Sequence, residues 1–317
     1  MPISTAHKRT TGCGDLLHPS ILYDTRTAEL LQLAGSSDAK VLIIGETGTG
    51  KSTLARIIHD KSGVPGNFVH VDCTSIPDAL MESELFGAGV GAYTGAVKAR
   101  VGRIELASEG TLFLDEVDSM PLTMQAKLLH AIQEKGVTRL GENTFRPSYF
   151  RLIAATHKPL DMLVNAGLFR MDLYYRLAVL EIHLPALREF SARIPGLFDT
   201  LVKMECKHMD RACQLDTTEV HPQLMLHDWP GNYRELIASA QRFALGLAPL
   251  KQPLQIAAGA ALRDKLATVE QHLLCQALKN SNGLLRPASH ALGLPLETLR
   301  YRLRLYGIST PERASGE

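Results

Sequence analysis

A glycine-rich octapeptide between an apolar run and a helical stretch limits this chain to a small set of folds. The run Val41 to Ile44 predicts a buried strand, and apolar side chains at helical spacing follow the octapeptide. Glycines let backbone N–H groups close around phosphate oxygens, and the start of the next helix adds partial positive charge. Lys51 is placed to reach the terminal phosphates of ATP, and the Ser52 hydroxyl to ligate Mg2+. The octapeptide therefore predicts a P-loop whose nucleotide-binding residues are Gly45, Glu46, Thr47, Gly48, Thr49, Gly50, Lys51 and Ser52.

A second motif, Thr111 to Glu116, supplies the carboxylates that such a phosphate site needs. Its apolar residues predict another buried strand, which delivers Asp115 and Glu116 at its carboxyl end, where open α/β sheets bind ligands. The motif resembles a Walker B motif, in which Asp115 holds the magnesium shell and Glu116 polarises the attacking water as general base. An acidic pair after a strand is more often a solvated turn, but the P-loop in the same chain favours the catalytic interpretation.

Strand-like runs alternate with helical stretches over the first part of the chain, which predicts an α/β fold with a parallel sheet covered by helices. The runs are Val41 to Ile44, Phe68 to Val71, Thr111 to Leu114, Arg151 to Ala155 and Val179 to Leu184. They stop after Pro185, and Leu197 to Met209 and Tyr233 to Leu247 are expected to be helices of a smaller domain. Ala248 to Gly259 contains two prolines and has the composition of a linker.

The composition is that of a globular protein in a reducing compartment, with 45% hydrophobic and 21% charged residues. No apolar run approaches the length of a bilayer span, and Met1 to Gly14 lacks the apolar stretch of a signal peptide. The five cysteines are scattered without a CxxC pair, which predicts free thiols and a cytoplasmic location. Cys206, His208 and Cys213 are close in sequence, but a fourth ligand and the usual metal spacing are missing.

Between the two nucleotide motifs stand Glu82 to Gly87, with the sequence ESELFG, and Gly91 to Ala96, with the sequence GAYTGA. Both closely resemble signatures of the sigma-54-dependent activators, a family of AAA+ ATPases. The resemblance implies a mobile loop that contacts sigma-54 through Gly91, Ala92, Tyr93, Thr94, Gly95 and Ala96. Glycines on either side of one aromatic and one hydroxyl residue suit a mobile tip. The alternative is an ordinary glycine-rich turn with a buried tyrosine.

Two later segments extend the resemblance. Gly167 to Leu177 is similar to the family's FRxDLYYRL segment, which implies that Arg170 and Arg176 act as arginine fingers across a subunit interface. Trp229 to Leu236 resembles the WPGNVREL motif, which makes Arg234 a lid residue that senses the phosphates. Thr156 ends the sensor strand and is expected to face the nucleotide.

Three departures from the family pattern matter: the first two put the turnover rate in doubt, and the third is expected to alter the hinging of the loop. Asp72 stands where many relatives have an asparagine that restrains the catalytic glutamate. Two carboxylates that lie near each other and near phosphates repel, because all of these groups are negatively charged. His157 stands where asparagine is common, and a neutral histidine replaces an amide donor in only one tautomer. Ala88 to Val90 replaces a charged stretch before the loop.

The last part of the chain resembles a Fis-type helix-turn-helix. Its three helices are expected at Leu266 to Lys279, Pro287 to Leu292 and Pro295 to Leu305. Gly293 and Leu294 are expected to form the tight connection between the last two. The side chains expected to contact base edges of DNA are Glu297, Thr298, Arg300 and Tyr301. Arg302 and Arg304 are expected to contact phosphates. The arginines are alternatively a solvated face, whereas Leu299, Leu303 and Ile308 are expected in the core.

Taken over the whole chain, the resemblance implies a P-loop AAA+ parallel sheet domain, a small helical lid domain and a C-terminal Fis-type helix-turn-helix. The expected divisions are a leader at 1–17, the ATPase domain at 18–188, the lid at 189–250, a linker at 251–264 and the DNA-binding domain at 265–317. Only about 20 residues precede the ATPase domain, so no receiver domain is expected.

The function that the resemblance implies is transcription activation by a homo- or hetero-hexamer. Its cofactors are ATP and Mg2+, and its partners are sigma-54 RNA polymerase, double-stranded enhancer DNA and a trans-acting inhibitory protein; no membrane is involved. Short activators of this kind resemble the Hrp-type regulators of type III secretion genes. Two alternatives are a DNA-binding regulator with weak or lost ATPase activity and a general AAA+ remodelling ATPase with another client.

Overall fold

The protein is described as a computed structural model that covers residues 25–92, 98–209, 216–250 and 262–308. The expected leader, Tyr93 to Ala96 of the loop, Cys213 and most of the expected linker lie outside these residues. The chain divides into two compact units. The first reaches Phe190 and includes Trp229–Ile237, and the second consists of Ser191–Asp228 and the residues from Ala238 onward.

The described strands are β1 (Val41–Ile44), β2 (Phe68–Asp72), β3 (Gly87–Ala88), β4 (Arg100–Val101), β5 (Thr111–Asp115), β6 (Gly136–Thr138), β7 (Phe145–Pro147), β8 (Arg151–Thr156) and β9 (Leu180–His183). Five of them form one parallel sheet in the order β2-β5-β8-β1-β9. These five coincide with the five apolar runs, and β8 is buried along its whole length. The predicted α/β class with a parallel sheet is therefore confirmed, because strands buried on both faces need continuous apolar runs.

The described helices of the first unit are α1 (Thr25–Ser36), α2 (Lys51–Ser62), α3 (Asp78–Phe86), α4 (Arg103–Leu106), α5 (Leu122–Glu134), α6 (Leu160–Asn165) and α7 (Met171–Leu177). The main helices bury apolar side chains against the sheet, including Leu54, Leu85 and Leu128, which are fully buried. Helix α2 is bounded by Gly50 and Gly63, both in the left-handed region that favours glycine.

Two small antiparallel sheets were not predicted from the sequence. Strand β3 pairs with β4, and β6 pairs with β7. Strands of two or three residues are too short to show an alternating pattern. The β3–β4 pair brackets the loop that contains Gly91 and Ala92, and Gly87 at its base has a φ of 84°. A Cβ atom on Gly87 would lie 2.6 Å from the Arg100 carbonyl oxygen, so this close pairing requires glycine.

The second unit is helical in the residues that the structure describes. Its helices are α8 (Ile194–His208), α9 (His221–Leu226), the later part of α10 (Asn232–Ala244), α11 (Leu262–Asn280), α12 (Leu285–Leu292) and α13 (Leu296–Leu305). The last three enclose a small core of Leu274, Ala288, Leu299 and Leu303. Gly293 ends α12 with a φ of 63°, which gives the tight connection expected of a helix-turn-helix.

None of the described helices is both long enough and apolar enough to cross a bilayer.

Phe113 tests the contribution of the sheet to stability. Its side chain on β5 is fully buried, and it stacks on Phe68 with ring centroids 5.7 Å apart. We expect Phe113→Ala to lower the free energy of unfolding by about 3–5 kcal/mol, because the site cannot collapse to fill the cavity. Phe145→Ala is the matched control, because Phe145 is 47% exposed, and it should cost about 1 kcal/mol or less. Equal effects in urea unfolding would contradict the packing argument.

Candidate functional site

The carboxyl edge of the sheet carries the predicted P-loop. The loop leaves β1, and its Gly45 N–H donates to the Thr156 carbonyl oxygen at the end of β8. Gly48 and Gly50 have φ values of 82° and 96°. A Cβ atom on Gly48 would lie 2.2 Å from the Gly231 carbonyl oxygen, so glycine is required there for two separate reasons. The loop thus has the tight, backbone-lined form that suits phosphate oxygens.

Lys51 is buried inside this loop. Its ammonium group donates to the carbonyl oxygens of Gly45 at 2.9 Å and Glu46 at 3.4 Å, and lies 3.3 Å from Glu116 Oε1. A buried ammonium needs compensating oxygens, and here two carbonyls and one carboxylate supply them. An ammonium group at this place in a P-loop can bind a phosphate.

Ser52 and Asp115 meet as their motifs predict. The Ser52 hydroxyl donates to Asp115 Oδ2 at 2.9 Å. Burial favours a raised pKa for the Asp115 carboxyl, but hydrogen bonds from His70 and Ser52 outweigh burial, so its pKa lies below the ordinary value. An ionised carboxylate beside a hydroxyl is a donor set that fits Mg2+, which prefers hard oxygen ligands. These two residues could therefore hold the metal of a bound nucleotide.

Glu116 follows β5 in a left-handed conformation with a φ of 51°, which is uncommon for a residue with a side chain. One carboxylate oxygen contacts Lys51, and the other lies 2.5 Å from His157 Nδ1. The strained backbone turns this side chain toward the P-loop instead of letting it continue along the strand. Glu116 is thus held next to the place where phosphates would lie.

Negative charge is concentrated at this edge of the sheet. Burial, followed by the charges of Asp72 and Asp115 and other carboxylates, raises the pKa of the Cys73 thiol to about 12. Carboxylates gathered in this way favour a divalent cation at this edge.

The turn that begins with Trp229 closes over the P-loop, and this contact was not predicted. Asn232 is fully buried; its amide donates to the Thr47 carbonyl oxygen at 3.0 Å and to Glu46 Oε2 at 3.2 Å. Its carbonyl oxygen accepts a hydrogen bond from Leu187 N–H at 2.8 Å. The sequence offered one signal, the WPGN segment itself, but not its partners, which are up to 186 residues away.

Two further residues of this region bear on the site. Arg188 forms two hydrogen bonds with Glu46 of the P-loop, and they lower the pKa of that carboxyl. Arg234 is exposed, and its Cβ lies 3.3 Å from the position that a Cβ on Gly48 would occupy. The structure therefore brings Arg234 beside the P-loop, whereas Arg188 was missed from the sequence.

The two expected arginine fingers lie at opposite ends of α7 and are exposed. Arg170 pairs with Asp172 at 2.7 Å, and its backbone N–H donates to Gln125 Oε1 at 2.9 Å. Gln125 is itself fully buried and donates to the carbonyls of Met120 and Leu168. This glutamine was not predicted, although a polar residue among the apolar positions of α5 was a signal. It fixes the backbone that presents Arg170.

Helix α13 presents most of the predicted DNA-facing side chains outward. Arg300, Tyr301 and Arg304 are exposed, and Arg300 pairs with Glu297 at 2.7 Å. Arg302 pairs instead with Glu270 on α11 at 3.0 Å. Leu299 and Leu303 are buried and Ile308 packs against them, which confirms the predicted core positions.

Replacing Asn232 tests the closed turn. Asn232→Ala removes three hydrogen bonds from a buried site and leaves the Leu187 N–H without that acceptor, so we expect unfolding to become easier by about 1–3 kcal/mol. Asn143→Ala, at an exposed position, is the control and should change stability by about 0.5 kcal/mol or less. Chemical denaturation measures both, and an unchanged midpoint for Asn232→Ala would show that the turn is not held by this side chain.

Comparison with known proteins identifies the family. The family model described as "Sigma-54 interaction domain" matches residues 23–183. The chain is 44% identical over 284 residues to the pathogenicity locus probable regulatory protein WtsA of Pantoea stewartii subsp. stewartii, and the match covers 89% of this chain and 88% of that protein. It is also 44% identical over 266 residues to the probable regulatory protein HrpS of Pseudomonas syringae pv. syringae, covering 83% and 88% respectively.

Among solved structures, NtrX from Brucella abortus in complex with ADP matches with a TM-score of 0.69 and 25% identity, covering 92% of this chain and 70% of that one. The resemblance to sigma-54-dependent activators that the motifs indicated is therefore confirmed. The expected P-loop AAA+ fold is confirmed with it. The chain belongs to the sigma-54 interaction domain family, a family of sigma-54-dependent transcriptional regulators.

Proposed function

We propose that this chain is a transcription activator that hydrolyses ATP to remodel the closed complex of sigma-54 RNA polymerase into an open one. The observation that carries the proposal is the convergence of Lys51, Ser52, Asp115 and Glu116 at one edge of the sheet, in a member of this family. A buried cation, a metal ligand pair and a candidate base are the parts that phosphoryl transfer to water needs.

In the proposed mechanism, the P-loop backbone and Lys51 bind the terminal phosphates. Ser52 and Asp115 would hold Mg2+, which would neutralise charge on the phosphate oxygens. Glu116 accepts a proton from water as the water oxygen bonds to the γ-phosphorus, and the bond to the β-phosphate oxygen breaks to give ADP and phosphate. Arg234 flanks the nucleotide and responds to the presence of the γ-phosphate. Thr156, expected to face the nucleotide, is fully buried with its hydroxyl on Asp118, and it supports the P-loop through its carbonyl oxygen, which accepts from Gly45 N–H.

A hexamer, either homomeric or mixed, completes this site. Arg170 and Arg176 are exposed on α7, so they are available to a neighbouring subunit, where a guanidinium stabilises charge on the transferred phosphoryl group. Arg170 must leave Asp172 to do this, and its backbone stays fixed by Gln125. Hydrolysis then depends on assembly.

The segment from Gly91 to Ala96 is the proposed sigma-54 contact, carried between β3 and β4. Helix α13 is the proposed DNA-reading helix: Glu297, Thr298, Arg300 and Tyr301 face base edges, and Arg302 and Arg304 face phosphates. Arg302 exchanges Glu270 for a phosphate in this arrangement. Because WtsA and HrpS are named as regulators of a pathogenicity locus, we propose type III secretion genes as the targets, with an inhibitory protein acting in trans.

A second candidate function is that of a DNA-binding regulator with weak ATPase activity. It is favoured by two departures from the pattern that the resemblance implies: Asp72 at the end of β2, and His157, which contacts Glu116. The intact set of Lys51, Asp115 and Glu116 weighs against it.

ATP-dependent open-complex formation on a sigma-54 promoter tests the main proposal. Wild-type protein should open the promoter, and Glu116→Gln should bind ATP but keep only residual hydrolysis and lose opening, because the amide cannot accept the proton of the attacking water. Thr94→Ala should keep ATPase activity and lose opening if this loop contacts sigma-54. ATP binding and promoter binding without ATPase activity in the wild type would favour the regulator alternative.

Enhancer binding tests the helix-turn-helix. Arg300→Ala should weaken binding to the cognate site by about 1–3 kcal/mol and reduce sequence discrimination, since this side chain is expected at a base edge. Arg304→Ala should weaken binding to all sequences and reduce the salt dependence, as expected for a phosphate contact. Mobility-shift titrations at two salt concentrations distinguish a base contact from a phosphate contact. An equal loss of affinity for random and cognate DNA in Arg300→Ala would contradict a base-reading role for Arg300.

A further inference from the structure

The Glu116 carboxylate is held from two sides. Lys51 Nζ lies 3.3 Å from Oε1, and His157 Nδ1 lies 2.5 Å from Oε2. The lysine is part of the P-loop and turns to the phosphates when a nucleotide is bound. Of the described residues, His157 is then the contact that remains to orient this carboxylate, with its ring 39% exposed and its Nδ1 at the oxygen.

Asp72, at the position where relatives have the restraining asparagine, is occupied elsewhere. Its Oδ1 accepts hydrogen bonds from the Thr74 backbone N–H at 2.9 Å and from the Thr74 hydroxyl at 2.7 Å. The carboxylate thus closes the turn that follows β2. Among the described residues, no hydrogen bond joins Asp72 to Glu116.

His157 sits on a fixed support. The Thr156 hydroxyl donates to Asp118 Oδ1 at 2.8 Å, and Lys158 Nζ lies 3.1 Å from Asp118 Oδ2. Asp118 is almost fully buried, so the residues on both sides of His157 are tied to the same rigid carboxylate. The backbone that carries His157 is therefore anchored on both sides, and the imidazole Nδ1 lies 3.9 Å from Asp118 Oδ1 as well.

We infer that His157 is the positioning residue of Glu116, and that in this chain the restraint on the catalytic base comes from the end of β8 instead of the end of β2. The inference rests on the proposed ATPase function. In this role the ring Nδ1–H donates to Oε2. Glu116 keeps its second oxygen for the attacking water.

Steady-state ATPase kinetics test this role. We expect His157→Ala to lower kcat by up to about 10²-fold with KM for ATP changed little, because misplacing a catalytic group costs rate and not ground-state binding. His157→Asn, which restores an amide donor, should recover much of the loss. His183→Asn is the matched control: His183 also ends a strand beside a carboxylate, Glu181 at 3.6 Å, but is 68% exposed and outside the site.

A double-mutant cycle separates positioning from a general structural effect. In a Glu116→Gln background, His157→Ala should cause no further loss of kcat, because both changes remove the same oriented carboxylate. Three results would each overturn the inference. The first is a further loss of kcat of equal size in the Glu116→Gln background, and the second is a raised KM of His157→Ala without a change in kcat. The third is a larger loss of kcat from Asp72→Asn than from His157→Ala.

A spectroscopic measurement keeps this test independent of turnover. In protein labelled with 15N-histidine, the His157 ring nitrogens should show the Nδ1–H tautomer, and Glu116→Gln should shift the Nδ1 resonance while the His183 signals stay in place. If wild-type protein has no ATPase activity, the proposed function fails, but the contact is still decided by this spectrum. An unshifted Nδ1 resonance would overturn the contact itself.

Discussion

The parallel pairing of β8 with both β1 and β5 is the constraint on which the site depends. Ile44 lies in register with Thr156, and Leu114 with Ala154. Because all three strands run the same way, the P-loop, the acidic pair and Thr156 leave the sheet at one edge. A slip of one residue in β8 would turn its buried side chains to the opposite faces of the sheet and move His157 away from Glu116.

The central sheet and the nucleotide motifs could be predicted because their signals are local. Apolar runs of four to six residues mark the five strands, and the chemistry of phosphate binding fixes the residue types around them. The β3–β4 and β6–β7 pairs could not be predicted, since such short strands have no pattern of their own. The roles of Gln125 and Asn232 could not be predicted either. Each side chain forms hydrogen bonds with backbone groups that are far away in the sequence. A single sequence does not show which carbonyl and N–H groups need such a partner.

Electrostatics at the site is a matter of local pairs, not of the whole chain. A net charge of +1 reveals nothing of a buried lysine beside a glutamate, or of Lys158 beside Asp118. Removing one partner of such a pair leaves an uncompensated charge in a poorly hydrated place, which costs more than the pair contributes when intact. The site should therefore tolerate changes to whole pairs better than changes to single members.

The contact between Gly48 and the Gly231 carbonyl has a consequence for protein engineering. The tip of the P-loop and the turn from Trp229 to Asn232 fit each other with no room for a single methyl group, although 182 residues separate them in sequence. A chimaera that took its P-loop from one relative and this turn from another would join two surfaces selected separately for fit. Recombination boundaries should therefore be chosen so that both segments come from the same parent, even when the lid helices are exchanged.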